Sequence, residues 1–153
     1  MPQTKSKKKT RVTLVSGSEK ETMEIASDLA KNVKAPAFIC LRGELGAGKT
    51  VFAKGFARSL GISEKRIKSP TYTFVREYKV KRNKLYHFDF FRIEKPDDLM
   101  TETVREIFER KNAIIIMEWP EHVRQILPPG SKEIRFEYVD ENTRKITITD
   151  DGK

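Results

Sequence analysis

Apolar residues along this chain recur with three different periods, and each period marks a kind of element. Val12-Thr13-Leu14-Val15 is rich in β-formers and predicts a short strand. Ile25, Ala26, Leu29, Ala30 and Val33 follow at helical spacing, behind Ser18 and Glu21 set three apart as a capping box. Ala37 to Leu41 is an apolar run of strand length, and Phe52, Ala53, Phe56, Ala57 and Leu60 then mark one face of a helix that Gly61 stops. Phe74 to Val80 and Leu85 to Phe91 flank the polar turn Lys81 to Lys84 and predict a hairpin, so the sheet is not purely parallel. Pro96, Asp97 and Asp98 open a helix with Leu99, Met100, Val104, Ile107 and Phe108 on its buried side. Ala113 to Met117 is apolar without alternation, as a central strand covered on both faces should be. Ile134, Phe136 and Tyr138, then Ile146 and Ile148 beyond a turn at Asp140 to Thr143, alternate with polar residues as an antiparallel hairpin with one exposed face does. The pattern predicts an α/β fold: a three-layer sandwich around a mixed, mainly parallel central sheet, with a C-terminal antiparallel hairpin.

Composition sharpens this picture in two places. Residues 1–10 read as a disordered basic tail, with Lys5, Lys7, Lys8 and Lys9 and no acid among them, and residues 11–150 as a single domain. The net charge of +9 is therefore shared between the tail and a mildly basic body, which permits an RNA or ribonucleoprotein partner. No apolar run approaches membrane-spanning length and no secretory pattern precedes the domain, so a cytoplasmic protein without membrane contact is expected. The lone cysteine, Cys40, lies in an apolar strand and reads as a buried structural thiol.

The chemistry concentrates in Gly43-Glu44-Leu45-Gly46-Ala47-Gly48-Lys49-Thr50, which fits the phosphate-loop pattern G-x-x-x-x-G-K-[ST] between a strand and a helix. Glycines let a backbone curl into a nest of N–H donors, and the positive end of the following helix adds to it. Lys49 is expected on the β- and γ-phosphates and Thr50 on Mg²⁺. The domain is thus expected to be P-loop NTPase-like. Two acids end predicted strands, Asp89 and Glu118, where ligands of open α/β sheets bind. Glu118, after an apolar run, has the form of the acid that holds Mg²⁺, directly or through water. Asp89 lies in an otherwise apolar segment, where a carboxylate is costly unless paired or metal-bound; pairing with Arg92 is the plain alternative. His87 reads as a packed or hydrogen-bonded strand residue, and His122 as solvated. Trp119 either covers the nucleotide or plugs the strand end. No D-x-x-G occurs and Asn83-Lys84-Leu85-Tyr86 lacks the aspartate of a guanine reader, which favours adenine.

Taken with Ser69-Pro70-Thr71-Tyr72-Thr73, His87-Phe88-Asp89-Phe90-Phe91-Arg92 and Glu118-Trp119-Pro120, the loop resembles the bacterial TsaE (YjeE) family, from about Val12 to Ile148. The resemblance implies a Mg²⁺-dependent ATPase that supports formation of threonylcarbamoyladenosine beside the anticodon of tRNAs reading codons that begin with A. It implies work with the threonylcarbamoyl transferase and its inactive paralogue, with tRNA met directly or through them. It implies Lys49, Asp89 and Glu118 as catalytic residues, and Thr50 and Glu118 on the metal. Around the ATP it implies residues Gly43 to Val51, with Thr71, Trp119 and Arg144. Glu44, Val51 and Phe90-Phe91 depart from the commoner family residues without removing a phosphate or metal ligand. Two rival readings stand beside it. A small-molecule P-loop kinase would need an acceptor site and an arginine-rich lid, and no arginine cluster surrounds Arg124. A non-hydrolysing RNA-binding module that uses ATP as a structural ligand would leave Asp89 and Glu118 without purpose.

Overall fold

Seven strands form one sheet in the order β1-β7-β6-β2-β5-β4-β3 in the computed structural model, which describes residues 9–68 and 74–150. The strands are β1 (Thr10–Ser16), β2 (Ala37–Arg42), β3 (Val75–Val80), β4 (Asn83–Asp89), β5 (Ala113–Glu118), β6 (Lys132–Tyr138) and β7 (Arg144–Asp150). The helices are α1 (Glu19–Ala30), α2 (Lys49–Ser59) and α3 (Asp98–Phe108). Strands β6, β2, β5 and β4 run parallel to one another, β3 and β7 flank them antiparallel, and β1, antiparallel to β7, again runs in the direction of the central four. The expected C-terminal hairpin is β6 and β7, and it belongs to the main sheet because β6 also pairs with β2.

Alternation along the central strands makes the two outer layers. Ile39 and Leu41 of β2 and Ile114 and Ile116 of β5 face α1 and α2, with Phe52, Phe56, Ala26 and Ala30. Phe38, Cys40, Ile115 and Met117 face the other way, against Val104 and Ile107 of α3 and Val123 of a 3₁₀ segment, Pro120–Ile126. Every residue of β5 is buried, as its unbroken apolar run predicts. Burial pushes the Cys40 thiol up to about 12, which makes it an unreactive packing group.

The predicted helix signals act as read. Ser18 Oγ accepts from Glu21 N at 3.1 Å, while Glu21 reaches back to Gly17 N at 2.6 Å, one residue before the usual partner of a capping box. Asp97 accepts from Met100 N at 2.7 Å. Gly61, at φ 88°, donates to Arg58 O while Ile62 donates to Ala57 O, a Schellman end. Three expectations need correction. Leu99 is 75% exposed, because it lies well off the Met100–Val104–Ile107–Phe108 stripe on the helical wheel. Tyr138 is 66% exposed at the far end of β6, past the last β2 partner, Arg135, where the Arg144 guanidinium covers its ring at 4.7 Å. His122 is half-buried, with Nδ1 2.7 Å from the Phe90 carbonyl oxygen.

Gly55 is where α1 and α2 cross. A methyl carbon there would lie 2.5 Å from Met23 Cα and closer still to its carbonyl oxygen. Gly55→Ala gains about 1 kcal/mol of helix propensity. It also forces rigid backbones apart, which typically costs about 1–3 kcal/mol and more where nothing can give. The expected net loss is about 2 kcal/mol, a fall of roughly 5 °C in thermal midpoint. An unchanged melting curve would mean that the two helices slide freely past each other.

Candidate functional site

The glycine-rich loop leaves the carboxyl end of β2 and turns into α2, and its glycines do separate work. Gly43, at φ 152°, lies against β6 so closely that a Cβ would meet the Phe136 carbonyl oxygen at 2.8 Å. Gly48, at φ 105°, stands at the N-cap of α2. Helix α1 is capped by Ser18 and α3 by Asp97, but no side chain caps α2 among the described residues. Gly48, having no side chain, offers the first turn of α2 no N-cap oxygen of its own.

The same pleat that sorts the core aims the acids. Leu85, His87 and Asp89 alternate onto the α2 side of β4, and Ile114, Ile116 and Glu118 onto the α2 side of β5. Parallel register sets Asp89 beside Glu118 at the strand ends. Glu118 is 3% exposed. Its Oε2 lies 2.7 Å from His87 Nε2, and its Oε1 accepts from the Thr50 hydroxyl at 3.4 Å. His87 is buried as well, and its Nδ1 has no hydrogen-bond partner among the described residues. Asp89 is half-buried and accepts from Phe91 N at 3.0 Å. Burial raises its carboxyl above the ordinary value, and the neighbouring Glu118 charge adds to this.

Lys49 folds back over its own loop. Its Nζ donates to the Gly43 carbonyl and lies 3.8 Å from the centre of the Trp119 ring. Burial lowers its pKa, against the opposing pull of Glu118, Glu121 and Asp89. Trp119 adopts a left-handed backbone, φ 57°, and its ring packs 5.0 Å from Phe91. Arg144, first residue of β7, donates from Nη2 to Gly46 O at 3.3 Å and from Nη1 to Asp140 O at 2.6 Å.

Between these groups lies a cleft of about 480 Å³. Leu45, Gly46, Gly48, Lys49, Thr50, Val51, Asp89, Glu118, Trp119 and Arg144 all border it. Gly43, Glu44 and Ala47 border a neighbouring hollow on the other side of the loop, with Arg42 and Phe136. Thr71 and Thr73 lie outside the described residues. The cleft has walls that the sequence reading left out: Ser18, Glu19 and Thr22 at the start of α1, and Glu141 and Asn142 in the β6–β7 turn. Ser18 was legible as a cap, but nothing local marks it as lining a site. The described residues hold no group of three His, Cys, Asp or Glu side chains that could bind a metal unaided.

Comparison with known proteins points the same way. The family model for the threonylcarbamoyl adenosine biosynthesis protein TsaE matches residues 16–146. A tRNA threonylcarbamoyladenosine biosynthesis protein TsaE of Aquifex aeolicus is 37% identical over 132 residues, 86% of this chain and 90% of that one. Its namesake in Bacillus subtilis is 36% identical over 129 residues, 84% of this chain and 79% of that one. A crystal structure of Bacillus subtilis YdiB superposes with a TM-score of 0.75 at 30% identity, over 94% of this chain and 88% of that one. The strand–loop–helix with its facing carboxylates lies within the matched span, and the chain belongs to the TsaE family of threonylcarbamoyl adenosine biosynthesis proteins.

Proposed function

We propose that this protein is a Mg²⁺-dependent ATPase that supports threonylcarbamoyladenosine formation in tRNA, working with the threonylcarbamoyl transferase and its inactive paralogue. The observation that carries the reading is the gathering of Lys49, Thr50, Asp89 and Glu118 over the start of α2, where the N-cap is a glycine in a left-handed conformation. Such a helix start takes phosphate oxygens on its N–H groups. Lys49 exchanges the Gly43 carbonyl for a phosphate oxygen. Trp119 and Arg144 flank the phosphate chain, and Ser18, Thr22 and Asn142 extend the cleft toward the nucleoside.

The residues present fit a magnesium ion that arrives with its nucleotide. Mg²⁺ in such sites takes one or two protein oxygens and completes its shell with phosphate and water. The Thr50 hydroxyl and Glu118 carboxylate, already in contact, are the oxygens this chain offers. The bound ion would neutralise charge on the β- and γ-phosphates. His87 holds one Glu118 oxygen, which leaves the other turned to Thr50. Asp89 stands beside this pair, placed to accept a hydrogen bond from an attacking water and hold it in line. Arg144 is the only arginine among the described residues bordering the cleft, which counts against the arginine-rich lid of a small-molecule kinase. Phosphate release measured alone, with the transferase pair, and with or without substrate tRNA tests the reading as a whole; a phosphorylated small acceptor would overturn it.

Lys49→Ala removes the loop's mobile cation and is expected to abolish hydrolysis and weaken nucleotide binding strongly, read by calorimetry and phosphate release. Glu118→Gln keeps the shape and loses the charge, so Mg²⁺-dependent turnover should fall much more than Mg²⁺-free binding. Equal effects on both would reassign Glu118 to packing. Asp89→Asn should leave ATP affinity within about tenfold, roughly 1.4 kcal/mol, while single-turnover hydrolysis drops about 10²–10⁴-fold. Because the Asp89 carboxyl titrates above its ordinary value, the parent should lose turnover as pH falls before an ordinary aspartate would protonate. The asparagine variant should lack that step; a destabilised variant with normal turnover per folded molecule would make Asp89 structural.

A further inference from the structure

The two ends of the sheet differ in charge. Among the described residues, the cleft and its neighbouring hollow are bordered by seven carboxylates against four cations, Arg42, Lys49, Arg135 and Arg144. At the other end the four parallel strands begin, and the chain meets a basic residue at each: Lys34 ahead of β2, Lys81 and Arg82 ahead of β4, Lys111 ahead of β5, and Lys132 as the first residue of β6. Parallel pairing makes this coincidence unavoidable, since strands that run the same way start at the same edge. Strand β1 starts there too, because it is antiparallel to β7 and β7 is antiparallel to β6. Lys9 and Arg11 therefore lie at this edge, and in the sequence Lys5, Lys7 and Lys8 lead directly into it.

Much of this charge is not neutralised internally. The ion pairs at this end join Lys31 to Asp28, Lys84 to Glu77 and Lys132 to Asp150. Lys34, Lys81, Arg82 and Lys111 are exposed and make no ion pair among the described residues. Strand β5 separates Lys111 from Glu118 by about 20 Å, more than twice the screening length of about 8 Å at physiological salt. The acidic cleft therefore does not cancel the attraction of the basic end. The character of the surface also selects its partner. Of the exposed apolar residues that a protein interface would use, Leu45, Phe91, Tyr138 and Val139 belong to the cleft end, and Val12 on β1 stands alone near the strand starts. Spaced cations without an apolar centre match the repeating charge of a phosphodiester backbone.

We propose that the strand-start end of the sheet is a direct contact surface for the phosphate backbone of tRNA, separate from the nucleotide cleft. The choice of tRNA among nucleic acids rests on the function proposed above; the contact itself rests on the charge and the topology. An RNA held here leaves the cleft open, so the protein can hold a polynucleotide at one end of its strands and a mononucleotide at the other.

The test uses the full chain and an unmodified transcript of a tRNA that reads a codon beginning with A, titrated without nucleotide over a range of salt. The variant Lys34→Gln/Lys81→Gln/Arg82→Gln/Lys111→Gln should bind this RNA roughly tenfold or more weakly near 0.1 M salt, with the salt slope reduced by about 1 for each side chain engaged. Its melting temperature and ATP affinity should stay at parental values, which separates loss of contact from loss of fold. Deleting residues 1–8 should flatten the slope further. The proposal is overturned if the variant keeps parental RNA affinity and slope, or if the parent, while binding ATP normally, shows no salt-dependent RNA binding. It is overturned equally if the variant keeps RNA affinity and loses only its response to the transferase pair, because the surface then docks an acidic protein. Failure of the parent to hydrolyse ATP under any condition bears on the functional reading alone, since RNA binding is measured without nucleotide.

Discussion

A buried carboxylate has to be satisfied, and the site is built around the way Glu118 is. A carboxylate this enclosed is tolerated only if its oxygens find partners. One partner is His87, on the neighbouring strand β4, and the other is Thr50, in the first turn of α2. Glu118 therefore ties together three elements that are far apart in sequence. If β4 slipped by one residue against β5, His87 would turn to the other face of the sheet. Strand β5, buried along its whole length, anchors that register, and the carboxylate that ends it is held with it.

The loop depends on a second, steric condition. Gly43 leaves β2 against the backbone of β6, so the loop rises between two strands that are adjacent only because a parallel crossover brings them together. The loop then becomes the wall between the cleft and the neighbouring hollow, with Leu45 exposed at its crest and Trp119 bordering both spaces. Arg42, at the base of this wall, is held by Glu133 and lies 3.5 Å from Glu121, which fixes the loop's root to β6 and to the 3₁₀ segment after Trp119.

What could be read from the chain was what a short segment determines by itself. The glycine loop, the strand of unbroken apolar residues, the caps at Ser18 and Asp97 and the stop at Gly61 are local physics, and they stand as expected. The placement of Asp89 and Glu118 at strand ends was also legible, because an acid after an apolar run has few other reasons to be there. Contributions that need the topology were not legible. Ser18, Thr22 and Asn142 reach the cleft only because β1 and β7 fold back to the far edge of the sheet. The apolar character of Leu99 and Tyr138 suggested burial, but each lies beyond the reach of the layer it was expected to join. His122 looked like a surface residue because its partner, the Phe90 carbonyl, is supplied by another strand end.

The contact between Lys49 and Trp119 gives the molecule a built-in optical probe. Trp119 is the chain's single tryptophan, and its indole lies 3.8 Å from the ammonium of Lys49 and beside the ring of Phe91. Indole emission is sensitive to a nearby positive charge and to the polarity of what covers the ring. Any event that draws the ammonium off the indole alters the emission of that one fluorophore, with no other tryptophan to dilute the change. Movement of the Lys49 ammonium can thus be followed in the unlabelled protein, on the timescale of a stopped-flow mixer.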